Sequence, residues 1–183
     1  MAHLEEKTIS SEQKFDGRIV KLYVDKAELE DGKIVTREVI RHPGGVCVLP
    51  LTDKNEVMFV KQFRYPHQTV LLEIPAGKLD SKDEDPRKAA ARELLEETGA
   101  VAEELIELGM FLPACAYSDE AIHMYAAKSL TFREQKLDAD EFLNVFTMPL
   151  EQAVQKVLAG EIWDAKTQTA LLKVWLLRQQ GRL

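Results

Sequence analysis

Arg92-Glu93-Leu94-Leu95-Glu96-Glu97-Thr98-Gly99 is the stretch whose residue types and spacing point most directly to chemistry. On a helix, side chains three and four residues apart share a face, so Glu93 stands beside Glu96 and Glu97. Like charges at that spacing destabilise a helix by roughly 0.2–0.5 kcal/mol per pair. The trio also falls in the last turn before a glycine, where the helix dipole disfavours negative charge. A hard divalent cation removes both penalties, because Mg²⁺ prefers carboxylate oxygen. The bland alternative is a solvated acidic face, with Arg92 and Lys88 offsetting part of the repulsion. The opposite side of the helix, bearing Ala90, Ala91, Leu94 and Leu95, can pack on a sheet.

These carboxylates belong to a local surplus. The 183-residue chain has 24 Lys+Arg against 31 Asp+Glu, a formal charge of −7. Residues 80–104 hold nine acids and four bases, so −5 of that charge sits in one short window. An acidic chain is a poor fit for a nucleic-acid groove or an anionic membrane surface. No apolar run approaches the ~20 residues that span a bilayer, and the first ten residues are polar, without a secretory stretch. Cys47 and Cys115 are too few for a disulfide framework and wrongly spaced for zinc. A cytoplasmic protein with reduced cysteines is the expectation.

The elements that must position the acids read as an α/β mixture. Residues 20–28 and 34–41 alternate about Asp31-Gly32, a β-hairpin pattern. Residues 46–51 and 56–64 are β-rich runs joined by a turn, and 69–74 is a third run, stopped by Pro75-Ala76-Gly77. Asp85-Pro86 then opens a helix that Gly99 closes. Strand-like runs follow near 122–126 and 142–148, and helices over 151–159 and 165–178. Asp164 is the natural N-cap of the last helix, which accounts for it without a further role. Glu84 lies eight residues before Arg92, close enough for a charge-assisted pair that pins loop to helix.

Gly77, Glu84, Arg92, Glu93, Leu94, Glu96, Glu97, Gly99 and Ala100 together resemble the Nudix hydrolase signature. One spacing departs from it. Six residues separate Gly77 from Glu84, where the family usually has five. The resemblance implies a Nudix α/β/α sandwich with a mixed sheet, preceded by an N-terminal antiparallel β segment. That segment would occupy residues 1–44 and the hydrolase domain 45–183. The implied reaction is hydrolysis of a nucleoside diphosphate linked to another moiety. Glu93, Glu96 and Glu97 become the metal ligands, with the Ala76 carbonyl, for Mg²⁺ or alternatively Mn²⁺. Glu96 and Glu97, with Arg92 and Glu84, form the catalytic box.

Further segments resemble the ADP-ribose pyrophosphatase branch over roughly residues 18–178. Among them are Arg37 to Gly44, Gln62-Phe63-Arg64-Tyr65, Tyr117-Ser118-Asp119-Glu120 and Ile162-Trp163-Asp164-Ala165-Lys166-Thr167. The implied substrate is ADP-ribose, split to AMP and ribose 5-phosphate. GDP-mannose or another nucleotide sugar is the nearest alternative, and non-hydrolytic nucleotide sensing a third. The branch also implies a homodimer that exchanges its N-terminal β segment, so that each site is built partly by the partner. Arg64 is the first choice for a substrate phosphate contact, since a guanidinium suits bidentate phosphate binding. Glu73, Arg41 and Arg37 are further substrate candidates. The general base is expected from the acidic run 136–141, with Glu141 aligning best and Asp140 and Asp138 as alternatives. Where the branch often has Ser-Pro-Gly, this chain has Ala114-Cys115-Ala116, in a loop associated with substrate choice. Trp163 reads as a core or dimer-seam residue, with stacking on a base as the alternative.

Overall fold

The run 46–51 is apolar without alternation because its strand is buried on both faces. The computed structural model describes residues 4–137 and 142–183. In it β4 (Gly45–Pro50) lies inside a four-stranded mixed sheet of order β7-β4-β9-β8. The other members are β7 (Ala76–Lys78), β8 (Ala100–Phe111) and β9 (Ile122–Phe132). β4 and β9 run parallel from Gly45↔Ile122 to Pro50↔Ala127, and the remaining pairs are antiparallel. Side chains on a strand alternate between faces. Val46 and Val48, with Tyr125 and Ala127, therefore pack under α1 (Pro86–Thr98). Cys47 and Leu49, with Met124 and Ala126, pack under α2 (Leu150–Leu158) and α3 (Ala165–Gln179). The result is an α/β/α sandwich with one core on each side of the sheet.

A second sheet, β10-β5-β6, is built from β5 (Glu56–Arg64), β6 (Thr69–Glu73) and β10 (Leu143–Pro149). A third stands at the N-terminus: β1 (Lys7–Asp16), β2 (Lys21–Glu28) and β3 (Ile34–Arg41), all antiparallel. It is tied to the sandwich where Ile40 N–H donates to Tyr117 O at 2.7 Å and Asp119 N–H donates to Ile40 O at 3.1 Å.

Three strands went unread in the sequence: β1, β8, and β7, whose Ala76 and Gly77 were expected only to stop the run before them. β1 is polar and exposed along its whole length. β8, Ala-Val-Ala-Glu-Glu-Leu-Ile-Glu-Leu-Gly-Met-Phe, is rich in good helix formers. Long antiparallel pairing with β9 overrides that propensity. The α1 boundaries follow their signals. Asp85 accepts from Arg87 N–H at 2.9 Å, Pro86 starts the helix, and Gly99 ends it at φ +71°, donating to Leu95 O at 2.8 Å.

Candidate active site

Two of the three carboxylates of α1, Glu93 and Glu97, lie on its inner face, which corrects the expected orientation of the helix. Ala89, Ala90, Glu93, Leu94, Glu97 and Thr98 are buried, whereas Ala91 is exposed and Leu95 only half-buried. Positions 90, 93, 94 and 97 form one helical stripe, so two glutamates share the face that meets the sheet. Glu97 is 3 % exposed and accepts from the Ala76 amide at 3.1 Å. Glu93 rests against Gly77, where a built Cβ would fall 2.0 Å from its carboxyl carbon. Only a glycine leaves that space.

Arg92 gathers the acids. Its Nη1 donates to Glu93 Oε1 at 2.6 Å and to Glu96 Oε2 at 3.2 Å. Nη2 reaches Lys78 O at 3.3 Å and Glu84 Oε1 at 3.5 Å. Burial works against the Arg92 charge, but Glu93, Asp80 and Glu84 outweigh it and raise its pKa. Glu84 Oε2 accepts from Asp80 N–H at 2.6 Å, so Glu84 ties the loop to the helix. It does not line the cavity beside them.

That cavity, about 770 Å³, is where the chemistry converges. Ala76, Gly77, Glu93, Glu96 and Glu97 line it, and so do Gln62, Arg64, Lys166, Glu120 and Ile19. Among the described residues, no three His, Cys, Asp or Glu side chains close on one point tightly enough to hold a metal. Arg92 bonds Glu93 and Glu96 while Glu97 turns to the Ala76 amide, and so the guanidinium supplies the counter-charge. The donor set nonetheless fits a hard cation. It is all oxygen, it lines one cavity, and Gly77 leaves room for the Glu93 carboxylate beside the Ala76 backbone.

Arg64 ends β5 in the cavity wall. Nε and Nη2 each donate to Glu73 at 2.6 Å. Glu73 is 1 % exposed and does not line the cavity, so it stands behind Arg64. Burial would raise the Glu73 carboxyl, but Arg64 and Lys166 hold it below its ordinary range. A second base, Lys166, thus meets Glu73, and it is buried. Arg37 and Arg41 lie outside this chain's cavity. Arg37 pairs with Glu6 at 2.7 Å. Arg41 pairs with Asp25 at 2.7 Å and sits 5.6 Å from the centre of the Tyr23 ring. Asp138, Asp140 and Glu141 lie outside the described residues. The segment before them meets the end of α1, where Arg133 N–H donates to Gly99 O at 2.8 Å, Lys136 N–H donates to Glu96 O at 3.1 Å, and the Gln135 amide donates to Glu97 O.

Among known families, the one described as NUDIX domain matches residues 41–171, which include every cavity residue named above except Ile19. The chain belongs to the Nudix hydrolase family. A second family, nucleoside diphosphate sugar hydrolase N-terminal domain, matches residues 6–40. An ADP-ribose pyrophosphatase of Bacillus subtilis (strain 168) is 45% identical over 173 residues, 93% of each chain. A methanol dehydrogenase activator of Bacillus methanolicus is 46% identical over 169 residues, 91% of each chain. A crystal structure of an ADP compounds hydrolase superposes with a TM-score of 0.86 over 100% of both chains at 22% identity, which speaks for the fold alone.

Several features of this Nudix site escaped sequence reasoning. Lys166 and Glu120 line the cavity, although only the segments containing them had been noted. Asp164 does cap α3, accepting from Thr167 N–H at 2.9 Å, but it also accepts from Lys166 Nζ at 2.8 Å. The cap was not its full account. Asp119 accepts from His42 N–H at 2.6 Å and from Lys82 at 3.1 Å, linking the signature loop to the loop before β9. Trp163 is 68% exposed, donating to Gly160 O at 2.9 Å, so a core position is excluded. Burial pushes the Cys47 thiol up to about 12, which leaves it inert. No helix among the described residues is long and apolar enough to cross a membrane.

Proposed function

We propose that the chain hydrolyses the diphosphate bond of ADP-ribose, with Mg²⁺ or alternatively Mn²⁺, to AMP and ribose 5-phosphate. One observation carries this reading: the α1 carboxylates Glu93, Glu96 and Glu97 line a single cavity together with the β7 backbone, Arg64 and Lys166. The related ADP-ribose pyrophosphatase supports the choice of substrate. Glu93, Glu96, Glu97 and the Ala76 carbonyl would hold the cation. When bound, it supplies neutralisation of phosphoryl charge and lowers the pKa of water. Arg64 holds the diphosphate in line for attack. Arg92 and Glu84 fix the helix and loop that carry the carboxylates. A carboxylate of the 138–141 run, Glu141 first, takes the proton from the attacking water. The water oxygen bonds to phosphorus, and the bond from phosphorus to the bridging oxygen breaks. A panel of ADP-ribose, GDP-mannose, UDP-glucose, NADH and dNTPs tests the substrate. ADP-ribose should give the highest kcat/KM, and a higher value for any other member overturns the reading. The relative named as a dehydrogenase activator favours a second reading, in which the same site acts beside a dehydrogenase. Unchanged turnover of a methanol dehydrogenase on adding the chain removes it.

Residues 1–44 form a dimerisation segment in this proposal, and 45–183 the hydrolase domain. Exposed apolar side chains support it. Ile9, Phe15 and Ile34 on the N-terminal sheet are each more than half exposed, as are Phe63 and Val70 on the second sheet. Such side chains suit burial against a second copy. Arg37 and Arg41 would then be available to the partner's site. Light scattering on the eluting protein should give twice the 20.8 kDa chain mass. A single-chain mass at micromolar concentration would refute the dimer.

A further inference from the structure

The cavity that the carboxylates line also contains a buried cation to which the proposed reaction assigns no task. Lys166, in the first turn of α3, is 8 % exposed. Its Nζ donates to Asp164 Oδ1 at 2.8 Å and to Glu73 Oε2. Thr167 reinforces this corner, since its Oγ1 donates to Asp164 at 2.5 Å and accepts from Ile74 N–H at 2.9 Å. The start of α3 is thereby fastened to the end of β6. Glu73 then takes both Nε and Nη2 of Arg64 on its two oxygens. The third nitrogen, Nη1, makes no hydrogen bond to the described residues, and Arg64 lines the cavity.

We infer that Lys166 is a positioning residue, fixing Glu73 so that Arg64 presents its remaining N–H groups to the substrate's diphosphate in one orientation. The inference rests on the reading of this cavity as a diphosphate site. A buried carboxylate needs its lone pairs met, and two cations meet them from different sides. Without Lys166, Arg64 is the one remaining cation on Glu73. The Glu73 carboxylate then lacks its second anchor and is free to rotate, carrying the bidentate guanidinium with it, and the aim of Arg64 at the cavity is lost. Charge does not explain the arrangement, because Arg64 and Lys166 balance Glu73 and Asp164. Orientation does, since an Arg fork binds phosphate through fixed N–H directions.

A double-mutant cycle on the full chain tests this. Lys166→Met should raise KM for ADP-ribose about tenfold, the scale of a charged hydrogen bond, with kcat within about twofold. Lys166→Gln, which keeps a donor for Glu73, should fall between. In an Arg64→Ala background, Lys166→Met should add less than about twofold, because its effect passes through Arg64. Multiplicative losses, or an unchanged KM in Lys166→Met, overturn the inference. So does loss of folding in both Lys166 variants, which would make the residue merely structural. A parent chain that does not hydrolyse ADP-ribose overturns the substrate reading and the inference with it. An active parent with unaffected variants overturns the inference alone.

Discussion

Glu97→Gln should lower turnover of ADP-ribose by at least about 10²-fold, because several kcal/mol of charge stabilisation leave the site with one carboxylate. The fold should survive. Glu97 is 3 % exposed and accepts from the Ala76 amide at 3.1 Å, and a glutamine oxygen accepts that bond equally well. Its neighbours Ala90 and Leu94 keep the same volume to pack against. The melting temperature should therefore stay within a few degrees, while initial rates across a Mg²⁺ titration fall at every concentration. Wild-type rates at saturating Mg²⁺ would remove Glu97 from the cation site.

Gly77→Ala should be nearly as damaging to activity, for a different reason. The new methyl would lie 2.0–2.3 Å from the carboxyl atoms of Glu93. The obstacle is the end of a flexible side chain, so Glu93 swings away and the backbone stays. Displacement of a site group by about 1 Å can cost ~10²-fold in rate. Stability should hardly change. Gly99→Ala provides the contrast. There φ is +71°, and the added Cβ would sit 2.5 Å from the Arg133 carbonyl oxygen, a backbone atom. Both effects strain the main chain, at roughly 1 kcal/mol or more. Thermal melts beside initial rates should separate the pair: Gly77→Ala inactive and stable, Gly99→Ala less stable. Equal destabilisation in both would mean that the Gly77 approach serves folding instead of the site.

The two glycines also mark how far the site was legible in the sequence. Gly99 announces itself, because a helix end needs a left-handed residue and local rules suffice to see it. Gly77 could be placed only through its spacing to Glu84 and Arg92. Its reason, the Glu93 carboxylate pressed against it, joins residues sixteen apart. Glu84 and Arg92 were readable as a pair because one helix and one short loop separate them. The Arg64–Glu73–Lys166 group was not. Its members come from β5, β6 and α3, and Lys166 is 93 positions from the carboxylate it meets.

Elements followed the same division. α1 was bounded correctly at both ends, because Asp85, Pro86 and Gly99 act within a turn of themselves. β8 was invisible, because its residues prefer a helix and only the β9 partner makes it a strand. Even on α1, periodicity gave the stripe but not its direction. Ala91 was expected inside and is exposed, while Glu93 and Glu97 are inside. Composition weights against burying glutamate. The glutamates are buried because Arg92 and the Ala76 amide meet their oxygens there.

The sequence by itself determined the family, the sandwich class and the set of acids on one helix. Each of these is written in residue types at short, fixed spacing. Tertiary structure alone decided that Glu93 and Glu97 face inward, that Arg92 bridges Glu93 and Glu96, and that Arg64 meets a buried Glu73–Lys166 pair from two other elements. Those outcomes depend on which distant groups satisfy a buried charge, and burial is set by packing, not by spacing along the chain.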